Sequence, residues 1–209
     1  LGKIIDISPL ISSKIAVFPG DVPFSRKVCM DMQEGDHLTL SSMNSTLHLG
    51  AHADGPNHYK EDGVGIDQRD LSIYWGHCQI VRVQGREDLR IYPEDLSSEI
   101  HSKRVLFRTD SFPDPDHWND DFHALSAPLI EFLAEQGVVL VGIDTPSIDP
   151  STSKDLPSHM AVARHDLAIL EGLVLKDVQE GFYELCALPL KIENADSGPV
   201  RAALRTLSD

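Results

Sequence analysis

Between Ser45 and Tyr59 the chain reads Ser-Thr-Leu-His-Leu-Gly-Ala-His-Ala-Asp-Gly-Pro-Asn-His-Tyr, so His48, His52, Asp54 and His58 fall in one short stretch, all at even positions. On an extended chain even spacing sends side chains to one face. Gly50, Gly55 and Pro56 argue against a helix, and a residue before proline favours extended geometry. The segment is therefore expected to be an extended strand running into a turn that aims His48, His52 and Asp54 at one point. Imidazole and carboxylate suit zinc, manganese or iron. A donor set without thiolate favours a catalytic centre over a closed structural one. Small residues at 50, 51, 53 and 55 leave room for close backbone approach. A lone histidine is usually a surface or satisfied core residue; four ligand types at even spacing among glycines fit that reading poorly.

A two-metal centre needs further donors. His101, His117 and His123 lie in polar, loop-like surroundings and read as surface residues, while His77 begins an apolar run. Composition alone leaves the choice between His159 and His165 open. Glu61 and Asp62 read as a solvated turn, and Asp144 and Asp149 as turn or loop stabilisers.

The elements that must carry these residues follow from patterning. Strands are expected at Lys3 to Ile7, Leu38 to Ser41, Leu47 to Gly50, His77 to Val83, Val105 to Arg108, Val138 to Ile143 and Tyr183 to Lys191. Ser126 to Gln136 is expected as a helix, capped by Ser126, with Leu129, Ile130, Leu133 and Ala134 as its apolar face and Gly137 at its end. Pro93 to Ile100 and Pro199 to Leu207 are expected as further helices. This mixture implies an α/β fold, a mixed sheet or open barrel with flanking helices. With 209 residues and no repeat or linker, a single domain over 1–209 is the economical reading.

Composition narrows the partners. The formal net charge of −15 repels nucleic acid backbones, which need clustered Lys and Arg, and disfavours anionic membrane surfaces. No run of about 18 apolar residues is present to span a membrane, and Leu1 to Ser8 lacks the apolar region of a secretion signal. The odd cysteine count, Cys29, Cys78 and Cys186, excludes a complete disulfide framework. Cys78 and Cys186 lie in apolar runs and are expected as buried thiols. A reducing, cytoplasmic setting is the simplest fit. No G-x-S-x-G elbow is present, which argues against serine nucleophile chemistry.

The stretch His48-Leu-Gly-Ala-His52-Ala-Asp54-Gly-Pro-Asn-His58 resembles the H-x-G-(T/A)-H-x-D-x-P-x-H motif of the cyclase-like metal hydrolases. Ile5-Asp-Ile-Ser8, Phe18-Pro-Gly-Asp21, Gly142-Ile-Asp-Thr-Pro-Ser-Ile-Asp-Pro150, Ser158 to His165, Ala168 to Glu171 and Tyr183 to Leu190 extend the resemblance over nearly the whole chain. Gly142-Ile-Asp-Thr-Pro-Ser147 and Ala187-Leu-Pro-Leu190 narrow it to the formamidase branch of the family.

The resemblance implies a swivelling β/β/α-type fold and a homodimer that hydrolyses a small aryl formamide. It implies two divalent cations, zinc first, with manganese or iron as alternatives. His48, His52 and Asp54 would bind the first cation, with Asp54 reaching the second; His159 would bind the second; Glu171 would bridge both. His58 would be the acid/base group and Phe18 would line the substrate pocket. Gly55 departs from the alanine common in the motif, at a non-ligand position where little effect is expected. The alternatives are hydrolysis of another amide, such as isatin, or a non-catalytic metal-binding module.

One physical requirement follows from these implied roles. In a continuous helix, residues 159 and 171 would lie about 18 Å apart, whereas paired cations sit about 3.5–4 Å apart. A break is therefore required, with a short helix over His159 to Asp166 and a buried strand over Ala168 to Leu175. His165 would then end the helix, where the dipole favours it.

Overall fold

The computed structural model describes residues 2–207. In chain order its strands are β1 (Ile4–Asp6), β2 (Ser25–Met30), β3 (Leu40–Asn44), β4 (His52–Asp54), β5 (Trp75–Arg82), β6 (Arg90–Ile91), β7 (Arg104–Arg108), β8 (Ala124–Leu125), β9 (Leu140–Ile143), β10 (Ala168–Glu171), β11 (Gly181–Cys186), β12 (Ser197–Pro199) and β13 (Ala203–Thr206). The helices are α1 (Ala127–Glu135) and α2 (Pro157–His165). Nine strands form one mixed sheet in the order β1-β13-β11-β5-β7-β9-β10-β4-β12. The run β5-β7-β9-β10 is parallel; the flanking pairings are antiparallel.

Alternation along the central strands divides the core between two faces. Val81, Val105, Phe107, Val141, Ile143 and Ile169 face α1 and α2, packing on Leu129, Ile130, Leu133, Ala161 and Val162. Their neighbours Ile80, Leu106, Leu140 and Leu170 face the other way and share a cluster with Ile7, Ala53, Leu185 and Leu204. Ile7 follows one end of the sheet and Ala53 lies near the other, so their joining in one cluster means that the sheet curls into a half-barrel.

The α1 helix forms as its sequence demands. The Ser126 hydroxyl accepts from Leu129 N at 3.2 Å, Pro128 sits in the first turn, where its missing N–H costs nothing, and Gly137 follows at φ +78. The break between residues 159 and 171 is also present. The α2 helix stops at Asp166, which adopts a left-handed conformation, and β10 begins two residues later. His165 is exposed at the helix end.

Other expectations are corrected. Leu47 to Gly50 is not a strand: the chain bends there, with Gly50 at φ +57. Pro93 to Ile100 makes one 3-10 turn, Pro93–Asp95, and then bends at Ser97 and Ser98. The third expected helix, Pro199 to Leu207, instead supplies β12 and β13: Pro199 pairs with His52 at the sheet edge, and β13 fills the gap between β1 and β11. An open sheet position decides the conformation there, overriding local propensity. The strand expected at Leu38 to Ser41 runs Leu40–Asn44 and pairs with β2, which patterning missed. Cys78 is buried, Cys186 only half-buried, and all three thiols are free.

Candidate metal centre and active-site cavity

The donors come from three places. Strand β4 supplies His52 and Asp54, β10 supplies Glu171, and the first turn of α2 supplies His159. All four are buried, at 1–3% exposure. Register places Glu171 directly opposite His52. Two glycines allow that closeness. Gly50 takes its left-handed conformation just before β4, and a Cβ on Gly172 would lie 2.1 Å from the Gly50 carbonyl oxygen. His48 thus reaches the site across the Gly50 bend rather than along a straight strand, so convergence is right while the expected geometry is not.

The distances describe one compact nest. His52 Nε2 lies 3.2 Å from Glu171 Oε2 and 3.5 Å from Asp54 Oδ1. His48 Nδ1 lies 3.2 Å from Asp54 Oδ1. His159 Nε2 lies 3.6 Å from Asp54 Oδ2 and 3.7 Å from Glu171 Oε1. Two donor groups have ligand atoms within 4.8 Å of one another: His52, Asp54 and Glu171, and His48, Asp54 and His58. Both contain Asp54. Buried His52 Nε2 and both Asp54 carboxylate oxygens lack hydrogen-bond partners. Leaving such atoms unsatisfied costs about 1–3 kcal/mol each, and a cation bound among them would remove that cost. The residues therefore fit a divalent metal.

Outer contacts orient the donors. His52 Nδ1–H donates to the Gly50 carbonyl at 2.8 Å, turning Nε2 toward Glu171. His159 Nδ1–H donates to Asp149 Oδ2 at 2.8 Å, turning its Nε2 toward Asp54. Asp149 is fully buried and also accepts from the Ser158 and His159 backbone N–H groups and from Arg90 Nη1. It is therefore more than the turn residue expected from sequence; carboxylates that fix a ligating imidazole in this way raise its basicity. Glu171 Oε1 accepts from Ile148 N at 2.7 Å, and His48 Nε2 lies 3.1 Å from Asp196 Oδ2. Arg90 and Asp196 were not marked by any motif, and Asp149 was marked without its role; only the folded chain brings the three to the imidazoles.

The imidazoles and carboxylates of the nest shift one another strongly. Burial disfavours protonation of His48, but the Asp54 carboxylate 3.2 Å away, with the charge of Glu171 and the contact to Asp196, outweighs it and raises its pKa to about 9. For His159, burial is likewise outweighed by Asp149, Asp54 and Glu171, and its pKa rises to about 10. Burial pushes Asp54 upward, yet its imidazole neighbours hold it well below the usual carboxylate range. His58 differs. Its ring presents area to the cavity, but surrounding protein desolvates it and the charge on His48 opposes a second one, so its pKa falls despite Asp54.

The nest opens into a cavity of about 710 Å³, lined by His48, His52, His58, His159 and Glu171 on the donor side. Phe18, Phe112 and Trp118 line it as well. Phe18 packs edge-on against Trp118, with ring centroids 5.1 Å apart. Phe18 therefore lines the cavity, and Phe112 and Trp118, missed in the sequence, extend that aromatic wall. His77, His101, His117 and His165 are exposed, and His123 accepts from Gly85 N away from the donor nest.

A curled mixed sheet with two helices on one face is the architecture this chain shares with cyclase-like hydrolases. A solved structure described as a potential metal-dependent hydrolase with cyclase activity superposes with a TM-score of 0.85 at 27% identity, covering 100% of both chains. Isatin hydrolase A from Labrenzia aggregata shares the fold, with a TM-score of 0.81 at 20% identity, covering 99% of this chain and 94% of its own. The family model described as "Putative cyclase" matches residues 5–150, and the chain belongs to that family. Relatives named kynurenine formamidase are 44% identical: that of Erythrobacter litoralis over 99% of this chain and 95% of its own length, and that of Bordetella petrii over 97% of each.

Proposed function

We propose that the chain is a metal-dependent aryl formamidase that hydrolyses N-formyl-L-kynurenine to L-kynurenine and formate. The observation that carries this reading is the nest of buried His52, Asp54, His159 and Glu171, joined by half-buried His48, at the floor of an aromatic-lined cavity. The 44% identity to kynurenine formamidases over nearly the full chain supports the substrate. Isatin hydrolase, at 20% identity, shares only the fold.

His48, His52 and Asp54 would hold one divalent cation, and His159 the second, with Asp54 and Glu171 shared between them. Zinc suits this donor set, as do manganese and iron. Bound there, the cations would supply Lewis acidity toward the formyl oxygen and a water of lowered pKa. His58, neutral at pH 7 because its pKa is depressed, takes the proton of the attacking water on its free ring nitrogen. It then returns that proton to the departing aryl amine nitrogen. Phe18, Phe112 and Trp118 hold the aryl ring and exclude water.

We also assign a homodimer. In a single copy every residue of β2 and β3 except Met30 is exposed, including Val28, Leu40 and Met43. A two-stranded ribbon without a packed face is marginal in water; a second copy of the chain would cover it. The free thiols suit a reducing cytoplasm, and among the described residues no helix is long and apolar enough to cross a membrane.

The test is metal analysis of purified protein combined with formyl-kynurenine hydrolysis, with and without chelator. The expected outcome is about two cations per chain and turnover lost on chelation and restored by zinc. Activity that survives complete metal removal would overturn the reading.

A further inference from the structure

Part of the cavity wall is positively charged, although the chain carries a net −15. Arg108, at the end of β7, and Lys176, five residues beyond β10, both line the cavity. Arg108 Nε–H donates to Asp110 Oδ1 at 2.8 Å and Nη1–H to the Val178 carbonyl at 2.8 Å, which ties its guanidinium to the segment that carries Lys176. Its Nη2 has no hydrogen-bond partner among the described residues. The acids next to Arg108 are already engaged. Asp110 is shared between Arg108 and Arg82. Asp144 accepts from the Thr109 hydroxyl and from the Thr109 and Asp110 backbone N–H groups. Lys176 is exposed and has no ion-pair partner among the described residues. The uncommitted charges beside Arg108 are therefore cationic, and they border the same cavity as Phe18, Phe112 and Trp118; Asp21, the other lining acid outside the donor nest, sits in the turn after Phe18, where its Oδ1 accepts from Val22 N.

We infer that Lys176 and the free edge of Arg108 form an anion-reading subsite that takes the substrate's α-carboxylate. On this inference, which rests on the proposed formamidase function, they select aryl formamides that carry an amino-acid chain over bare ones. The aromatic wall takes the ring, which both kinds of substrate share. Only the amino-acid substrate presents a carboxylate, and a charge-assisted hydrogen bond to it is lost when the cation is removed.

The test compares N-formyl-L-kynurenine with 2′-formamidoacetophenone, which keeps the aryl formamide and ketone but lacks the amino-acid chain. For Lys176→Gln, the loss of kcat/KM on formyl-kynurenine should exceed that on the truncated substrate about tenfold. The loss should fall mainly on KM, and Lys176→Arg should restore most of it. Equal losses on both substrates, or none on either, would overturn the inference while leaving the formamidase reading intact. A wild-type protein that hydrolyses neither compound would overturn both. Arg108→Lys is a second probe, checked for unchanged thermal unfolding because Arg108 also anchors Val178; it too should lose selectivity for formyl-kynurenine.

Discussion

Strands β4 and β3 are joined by only seven residues, yet they are opposites. Every residue of β4 is buried, hydrogen-bonded on both edges by β10 and β12, and the atoms it turns into the nest, His52 Nε2 and the Asp54 oxygens, lack hydrogen-bond partners. Every residue of β3 is exposed, and it is paired on one edge only, by β2. The first is held by the sheet core and spends that rigidity on an unsatisfied polar nest; the second has no core beneath it. The nest should therefore answer to its own donors and their hydrogen-bond partners, and the hairpin to whatever covers it.

The largest expected effect lies in the nest. Asp54→Ala removes the one carboxylate common to both donor groups. It should cost metal affinity well beyond the 10–100-fold typical of an outer partner, with activity lost alongside; elemental analysis after dialysis reads this. His58→Ala should keep its metal yet lose about 10²–10⁴-fold in kcat, checked by steady-state kinetics on the metal-loaded variant. Metal-replete but fully active His58→Ala protein would remove the acid/base assignment.

Asp149→Asn should weaken metal binding about 10–100-fold through His159, seen by competition with a chromogenic chelator. The pH response of the metal-free chain separates the two regions further. His48 and His159 have folded-state pKa values raised above 6.5. Their stabilising contribution is complete below about pH 6.5 and is lost as pH rises through about 9 and 10. Metal-free protein should therefore show a Tm that falls from pH 7 to 10, while metal-loaded protein, whose imidazoles are already deprotonated, should not. The smallest effect on the nest belongs to the hairpin. Met43→Lys should shift the oligomer toward monomer by light scattering and leave metal content unchanged. A coupled loss of metal would merge two regions that the structure holds apart.

How much was legible in the sequence follows the same division. The donors at 48, 52, 54 and 58 were readable because they are close in sequence and flanked by small residues. The α1 helix and the central strands were readable from capping and apolar runs. The break between His159 and Glu171 followed from helix length once the family resemblance had paired them, since one helix could not return both to a site. Tertiary contacts hid the rest. The Gly50 bend depends on its approach to Gly172. The grip of Asp149 on His159 joins a loop to a helix. The C-terminal segment became sheet because an open position beside β1 and β11 awaited it. Gly55 also proved tighter than its non-ligand status suggested: a Cβ there would lie 2.8 Å from the Ala195 carbonyl oxygen.

The most direct test of the central claim is anomalous diffraction from crystals of the metal-loaded chain, collected across the absorption edge of the bound element. Two peaks within bonding distance of the Asp54 carboxylate, one beside His48 and His52 and the other beside His159, are the predicted result. A fully active, metal-loaded enzyme with no peak in that nest would contradict it.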